Sequence, residues 1–557
     1  MDSRIVIIGG VAGGMSAATR ARRLNEQAEI IVLEKSGHIS FANCGLPYYI
    51  GGQIKGEQNL LLTTPERVRE RFCIDARVHH EVTRIDAERH CVEGTNHQTG
   101  EAFTLAYDKL ILAPGASPIV PKLPGIDAEN VFVLRNVEDT QILYGYIAAR
   151  KPTRAVVVGA GFIGLEMVEA LRALDIAVTV LEKAPHVLPA LDSEMSGWLE
   201  AELGRHAVEL RTGVGLAALE ADNGRVHAVI TEAGERIETE LVLLSMGVRP
   251  NLELAQMAGI SIGKAGGIAA DEFRRTSAPD IYAVGDAAEV VHRVNGAAAR
   301  IPLAGAANRH GRAAGEHAAT GNARPSAAVL GTAVVRVFGL DVAVTGLSRR
   351  AAVAAGFDVD TAIVHPNDHA GYYPGAQTMH LTLIYDKSTR KVLGAQAIGP
   401  AGVDKRVDVI ATLLHFGGTV DDLANLDLCY APQFSSAKDP VHFAAFVAQN
   451  QLDGVTRGVD EAPTTNAERP APQLLDVRTA NEVSRGTLDG AIHIPLDELR
   501  LRLDELDRTR PIVVFCQVGV RGHAAARILA SHGFSDVRNL KGGYTQAAAR
   551  RVALVSR

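Results

Sequence analysis

A short apolar strand, a glycine-rich turn, a helical stretch, a second apolar strand and a terminal acid follow one another twice in this sequence, and no other feature limits its folding so tightly. The first copy, residues 4–34, reads Arg4-Ile5-Val6-Ile7-Ile8-Gly9-Gly10-Val11-Ala12-Gly13-Gly14, a helix, then Ile30-Ile31-Val32-Leu33-Glu34. The second, residues 154–182, reads Ala155-Val156-Val157-Val158-Gly159-Ala160-Gly161-Phe162-Ile163-Gly164, a helix to about Leu174, then Val178-Thr179-Val180-Leu181-Glu182. β-Branched runs that end in glycines opening a helix form the strand-helix-strand unit of a dinucleotide-binding fold. The glycines let the backbone approach a pyrophosphate, the helix start offers free N–H groups, and the closing acid accepts ribose hydroxyls. Two such units imply two nucleotides, a donor and an acceptor. Glu182 favours an unphosphorylated 2′-hydroxyl, so NADH is expected over NADPH, while Lys183 beside it can tolerate the phosphate.

Further strands, Lys109–Leu112 and Ile281–Ala283, flank the second unit. The expected architecture is therefore α/β, with two Rossmann-like domains. The first, for FAD, is split (1–115 and 245–320) around an NAD(P)H domain (116–244). An α+β domain (325–448), a polar linker (449–472) rich in Pro, Thr and Asn, and a small α/β domain (473–557) follow. The 557 residues carry a net charge of −7, which leaves no electrostatic footprint for nucleic acid or an anionic membrane. Five scattered cysteines point to a reducing compartment with one or two reactive thiols, and the start of the chain lacks a signal-peptide layout. A cytoplasmic protein with no metal site and no membrane contact is expected.

The richest segment is Ser40-Phe41-Ala42-Asn43-Cys44-Gly45-Leu46-Pro47-Tyr48. Cys44 has no second cysteine near it, and its place at a helix start is expected to lower its pKa. Its partner sulfur would come from a substrate or from oxidation to sulfenic acid. The run Thr276 to Asp286 resembles the second flavin motif of the pyridine-nucleotide disulfide oxidoreductases, in which the terminal acid, here Asp286, binds FAD. Residues 1–450 resemble the single-cysteine branch of that family: coenzyme A disulfide reductases, NADH oxidases and NADH peroxidases. The wording around Cys44 is most like the coenzyme A disulfide reductases.

The resemblance implies FAD and nicotinamide contacts at Gly9, Gly10, Gly13, Gly14, Glu34, Lys35, Asn43, Ala113, Gly115, Gly159, Gly161, Phe162, Ile163, Gly164, Glu182, Gly247, Gly285, Asp286 and Ala304. It implies coenzyme A contacts at Arg20, Arg23, Ser40, Asn43, Arg71, Asn308 and Lys438, although Asn308 stands where the subgroup often has His. Arg20, Arg22 and Arg23 form a basic cluster suited to phosphates. The resemblance also implies a homodimer, with Tyr372 and Tyr430 reaching the thiol from the other subunit; a phenol there can protonate a leaving thiolate.

Leu474-Leu475-Asp476-Val477-Arg478, Gly486 to Leu496 and Pro511-Ile512-Val513-Val514-Phe515-Cys516-Gln517-Val518-Gly519-Val520-Arg521 occur in that order. Together they resemble a rhodanese domain. Loop N–H groups and Arg521 would cradle a thiolate or persulfide on Cys516. The expected activity is flavin- and NADH-dependent reduction of a coenzyme A persulfide, polysulfide or disulfide, with Cys516 carrying sulfane sulfur exchanged with low-molecular-weight thiols, persulfides and disulfides. The rival readings are an NADH oxidase or peroxidase cycling Cys44 through sulfenic acid, and a redox sensor or sulfur-carrier scaffold.

Overall fold

The structure, a computed structural model, describes residues 3–462 and 472–555. They fall into two compact units, one of residues 1–185 and 207–331, the other of 186–206 and 332–557.

The first unit holds two parallel five-stranded sheets. In one, the strands run Ile281–Ala283, Lys109–Leu112, Arg4–Ile8, Glu29–Leu33, Ile74–Arg77. In the other, they run Glu209–Thr212, Ala177–Glu182, Arg154–Val158, Leu241–Leu244, Val131–Phe132. Ile5, Val6 and Ile7, like Val156 and Val157, are fully buried, because each sheet has helices on one face and a small antiparallel sheet on the other, so every position along the strand needs an apolar side chain. The small sheet is His80–Asp86, Cys91–Asn96 and Ala102–Ala106 in the first case, and Leu216–Asp222, Arg225–Thr231 and Arg236–Glu238 in the second. In each sheet the glycine-rich turn leaves the central strand at the point where strand order reverses, which opens a crevice at the strands' carboxyl ends. Gly9 (φ +99°) and Gly159 (φ +106°) make the turns; a Cβ on either would lie 2.1 Å from Ala113 O or 2.4 Å from Ser245 O. Helix Ala12–Leu24 packs on helix Ala304–Thr320 backbone to backbone, since a Cβ on Gly311 would meet Gly13 O at 2.1 Å.

The second unit holds an antiparallel sheet ordered Ala333–Val337, Leu340–Gly346, Val392–Gly399, His380–Asp386, Val359–Val364. Helices Val403–His415 and Pro440–Leu452 lie on it. The buried Arg406 donates to Asp439 (3.0 Å) and to the Asp368 carbonyl (2.6 Å). Residues 186–206, read from sequence as part of the NAD(P)H domain, belong to this unit. Asp192 accepts from Gln396 Nε2 (2.7 Å) and from the Arg349 N–H (2.8 Å), and the Trp198 ring stacks on His380 at 3.7 Å. Those partners lie about two hundred residues away, beyond anything local patterning reveals.

A second sheet in this unit is wholly parallel: Arg457–Val459, Val537–Leu540, Ile512–Phe515, Gln473–Asp476, Ile492–His493. Its edge corrects the linker. Residues 449–452 complete a helix and 457–459 form a strand paired to 538–540. An edge strand of three residues is held by backbone hydrogen bonds, so its composition carries little signal. The rest of that stretch, 463–471, lies outside the described residues. Lys541 anchors the C-terminal domain to its neighbour, pairing with Asp360 and, at 3.0 Å, with Asp460. Among the described residues, no helix is long and apolar enough to cross a membrane, and no group of three or more His, Cys, Asp or Glu could hold a metal ion.

Candidate functional site

Cys44 lies exposed on a 3-10 turn, Asn43–Gly45, which runs directly into the short helix Leu46–Ile50. The expectation that this helix start depresses the thiol pKa is overturned. Burial of the sulfur pushes it up first, the Glu166 carboxylate second and Asp286 further, with Arg135 alone opposing. Five helical residues give a weak dipole, and two carboxylates outweigh one guanidinium.

Those three charges form the site's polar frame. Arg135 bonds Asp286 Oδ2 (3.0 Å) and the Ala116 carbonyl (2.9 Å). With its amide oxygen toward the guanidinium, Asn43 accepts from Arg135 Nη1 at 2.7 Å and donates to the Arg135 carbonyl at 3.2 Å. Glu166 comes from the glycine-turn helix of the second nucleotide sheet, Phe162–Ala173, and accepts the Tyr48 hydroxyl at 2.9 Å. Burial raises the Glu166 carboxyl, and burial together with Glu166 lifts the Tyr48 phenol above its usual range. Close approach of Gly51 to Ala170, where a Cβ would sit 3.1 Å away, seats the cysteine helix on this nucleotide helix. Arg135 and Glu166 are absent from the residues singled out in the sequence, and Tyr48 closes the Cys44 segment there without a role. No local pattern marks them, since each gains its meaning from a partner far along the chain.

The two glycine-rich turns fit nucleotides. Helices Ala12–Leu24 and Phe162–Ala173 have no side-chain cap at their N-termini, which leaves their first N–H groups for an anion. A Cβ built on Gly161 would meet nothing within 4 Å, which is the space a pyrophosphate needs. Phe162 and Ile163 form the first turn of the second helix, and Gly164 packs under it against Gly159 O. The closing acids do more than face a ribose: Glu34 accepts from the Gly10 N–H (2.7 Å) and Ser36, and Glu182 from the N–H groups of Ala160 and Ala184 (both 2.7 Å). A carboxylate has about four acceptor positions, so each can brace its turn and still take a ribose hydroxyl. Lys183 is drawn to Glu232 (2.9 Å). Gly115, Gly247 and Gly285 have φ of +69°, +95° and +74°. Ala113 follows strand Lys109–Leu112, Lys35 is exposed just past Glu34, and Ala304 begins the helix Ala304–Thr320. Gly247 follows strand Leu241–Leu244 of the second sheet, whereas the others lie at or beside the ends of the first sheet's strands, which leaves room there for a flavin nucleotide.

Of the expected substrate contacts, Arg20 pairs with Glu316 (2.5 Å) and Asn308 accepts from Ser16 Oγ (2.5 Å), so both occupy the seam between helices Ala12–Leu24 and Ala304–Thr320. Ser40 adopts φ +49° and its N–H bonds Gly10 O (2.8 Å). Arg23 lies over the Phe72 ring at 5.6 Å, beside the exposed Arg71. Arg22 leaves the basic cluster: it is buried and donates to the carbonyls of Glu26 (2.7 Å), Phe72 (2.8 Å) and Cys73 (2.9 Å). Its role is to hold chain segments together. Lys438, Tyr372 and Tyr430 are on the other unit, all exposed. The two tyrosine hydroxyls bond each other at 2.9 Å, which raises the Tyr430 phenol, and Lys438 lies 5.9 Å from the Phe443 ring.

Cys516 ends the buried strand Ile512–Phe515 and is itself buried. The Gly519 N–H (φ +102°) points at its sulfur, 3.1 Å away, and Arg521 stands within hydrogen-bonding reach. Arg521 is not a free cation, however: Glu482 takes both its terminal nitrogens, at 2.5 and 2.8 Å.

Family models match three stretches of the chain: pyridine nucleotide-disulphide oxidoreductase over 3–311, its dimerisation domain over 332–440, and rhodanese-like domain over 464–550. The chain is 34% identical over 447 residues to the coenzyme A disulfide reductase of Staphylococcus epidermidis, covering 80% of this chain and 100% of that protein. Bacillus anthracis CoADR-RHD, in its reduced form, superposes with a TM-score of 0.95 at 44% identity, covering 100% of this chain and 99% of that one. A NAD-dependent persulfide reductase from A. fulgidus superposes with a TM-score of 0.92 at 38% identity, covering 98% and 99%. The chain thus belongs to the pyridine nucleotide-disulphide oxidoreductases, flavin-dependent enzymes that draw on NAD(P)H, and carries that family's dimerisation domain and a rhodanese-like domain after it.

Proposed function

We propose that this enzyme uses NADH to reduce the sulfur–sulfur bond of coenzyme A persulfide or coenzyme A disulfide at Cys44, and that Cys516 carries sulfane sulfur drawn from the same thiol pool. The observation that carries the reading is the convergence on one exposed thiol of Asp286, from the first nucleotide sheet, and Glu166, from the glycine-turn helix of the second nucleotide sheet. The coenzyme A disulfide reductase and persulfide reductase relatives, together with this chain's own rhodanese-like domain, support the choice of substrate.

The Cys44 thiolate attacks one sulfur of R–S–S–R or R–S–SH, forming a mixed disulfide or a persulfide on Cys44 and expelling a thiolate or hydrosulfide. Arg135 holds Asn43 and Asp286 in place beside the thiol. Tyr372 and Tyr430, brought from the partner of a homodimer, protonate the leaving sulfur; their mutual hydrogen bond keeps the Tyr430 proton on the phenol at neutral pH. The first glycine-rich turn, with Glu34 and Asp286, would hold FAD, which would supply the two-electron link between the nicotinamide and this sulfur. Two electrons and a proton then return Cys44 to the thiol state and release the second product. Arg20, Arg23 and Arg71 are the cations available for coenzyme A phosphates, with Ser40, Asn43, Asn308 and Lys438 as polar contacts. Five free cysteines suit a reducing, cytoplasmic setting.

Mass spectrometry of the purified protein tests the carrier: an adduct of coenzyme A mass on Cys44 is expected, absent from Cys44→Ser. That variant should lose NADH-dependent turnover of both substrates by on the order of a thousandfold or more. Full turnover in Cys44→Ser would end the reading.

A further inference from the structure

Arg521 follows Cys516 by five residues and faces its sulfur, yet its guanidinium is already taken. Glu482 Oε1 accepts from Nη2 (2.5 Å) and Oε2 from Nη1 (2.8 Å), a bidentate grip. The carboxylate is itself immobilised. It caps the short helix Ala480–Val483, accepting from the Thr479 N–H (3.0 Å) and hydroxyl (2.8 Å). This fourfold bonding holds the Glu482 carboxyl down to about 2, with Arg521 the main cause, so the pair persists at any working pH. Both side chains are only about one-third exposed or less, and salt screens such a pair weakly.

The electrostatic consequence is local. Around Cys516 the field comes from backbone N–H groups, Gly519 foremost (3.1 Å to the sulfur), and from a cation whose charge Glu482 cancels. Backbone donors in such a cradle stabilise one negative charge, that of a thiolate or a persulfide. A dianionic donor arriving while Cys516 is a thiolate brings three negative charges to this spot, with no uncompensated cation to meet them.

Resting on the reading of Cys516 as a sulfane-sulfur carrier, we propose that Glu482 is a specificity-determining residue that, by neutralising Arg521, restricts the Cys516 site to persulfide donors and rejects the dianionic oxyanion thiosulfate. In the accepted reaction, the Cys516 thiolate attacks the outer sulfur of R–S–SH. The Cys516 S–S bond forms, the R–S bond to that sulfur breaks, the proton stays on the transferred sulfur and R–S⁻ departs. Sulfur oxidation is exchanged between two thiols, so no external oxidant takes part. The rejected reaction would release sulfite from thiosulfate by the same displacement.

The test follows the persulfide mass increment on Cys516 in the full-length holoenzyme, without NADH, after exposure to glutathione persulfide or to thiosulfate. The unaltered protein should load at least about tenfold faster from the persulfide, a ratio in keeping with one uncompensated charge in a partly exposed site. Glu482→Gln should raise thiosulfate loading about tenfold and change persulfide loading less than about threefold, because the freed guanidinium favours the extra charge. Adding Arg521→Gln to that variant should return thiosulfate loading to its original rate. Thr479→Ala, which weakens the helix cap but leaves Glu482 on Arg521, should leave thiosulfate slow. Equal loading from both donors in the unaltered protein, or an equal rise for both in Glu482→Gln, overturns the proposal, as does Thr479→Ala reproducing the gain. If Cys516 takes sulfur from neither donor, the carrier reading falls and takes the selectivity with it.

Discussion

Cys516 closes a buried strand and finds its partners within five residues, in the Gly519 N–H and the Arg521 guanidinium. Cys44 sits exposed on a 3-10 turn, and the charges that act on it come from positions 135, 166 and 286. A loop that follows its own nucleophile can build an anion cradle from consecutive backbone N–H groups, and such a site is complete whenever the loop folds. A thiol flanked by Glu166 and Asp286 is, by contrast, held in its protonated form by the polypeptide. Its reactivity depends on a frame assembled from both nucleotide-binding sheets. The first thiol is a local device and the second a tertiary one, so changes to each should fail in different ways.

The largest effect should come from the frame's one cation. Arg135→Ala leaves Asp286 without its 3.0 Å partner and the Asn43 amide oxygen without its guanidinium donor, while the backbone carbonyl at 135 still accepts from Asn43. Losing one member of a half-buried ion pair costs about 2–4 kcal/mol, so flavin retained after dialysis should fall sharply. The Cys44 thiol loses its only lowering influence, and its alkylation by iodoacetamide at pH 7 should slow. Sulfur loading of Cys516 should not change; if it falls in step, the two sites are not independent and the contrast fails.

The converse variant is Gly519→Ala. At φ +102° an alanine is strained, by about 1–2 kcal/mol, and relief of that strain turns the N–H away from the Cys516 sulfur. Loading of Cys516 should drop about tenfold, with NADH-dependent turnover at Cys44 unaffected.

This difference also explains what could be read from the chain alone. The Cys516 loop, the two glycine-rich turns and the strands that feed them are contiguous motifs, and each was visible as a string of residues. Of the second nucleotide sheet, the strands at 154–158 and 177–182 are legible as apolar runs within the repeated motif, whereas those at 131–132, 209–212 and 241–244 lie outside it. Hidden was everything fixed by distant pairing: Tyr48 on Glu166, Arg135 on Asp286, Glu482 on Arg521, and residues 186–206 joining the second unit through Asp192 and Trp198. At Cys44 the helix start is likewise legible in the sequence, whereas the burial that raises the thiol most, and the Glu166 and Asp286 carboxylates that add to it, arise only from the tertiary fold.

A sharper probe of those carboxylates is Glu166→Gln. Glu166 raises the Cys44 pKa because its negative charge disfavours a second one nearby. The neutral amide removes that penalty, so the midpoint of Cys44 alkylation against pH should move to lower pH, by up to about one unit. A move to higher pH, or none, would mean that burial alone sets the thiol and that the nucleotide helix does not speak to it.

The smallest expected effect isolates the hydrogen bond between Tyr48 and Glu166. Tyr48 donates to the carboxylate at 2.9 Å, and its own phenol is lifted well above the usual range, so it remains a donor throughout the thiol titration. Losing that donor in Tyr48→Phe favours the protonated carboxyl, since the bond stabilises the charged form. Burial already raises the Glu166 carboxyl, and the loss raises it further, but the thiol titrates in a more alkaline range where the carboxylate is ionised with or without its tyrosine. The alkylation midpoint should therefore shift by only a few tenths of a unit. Its acid limb should gain relatively more, because there a neutral Glu166 leaves the thiolate unopposed. In the double variant with Glu166→Gln, the tyrosine change should add little further to the midpoint, since the Tyr48 phenol stays neutral through the thiol titration and acts on the sulfur mainly through that acid. An additional shift in the double variant would give the phenol a direct hold on Cys44 and redraw the frame around a fourth residue.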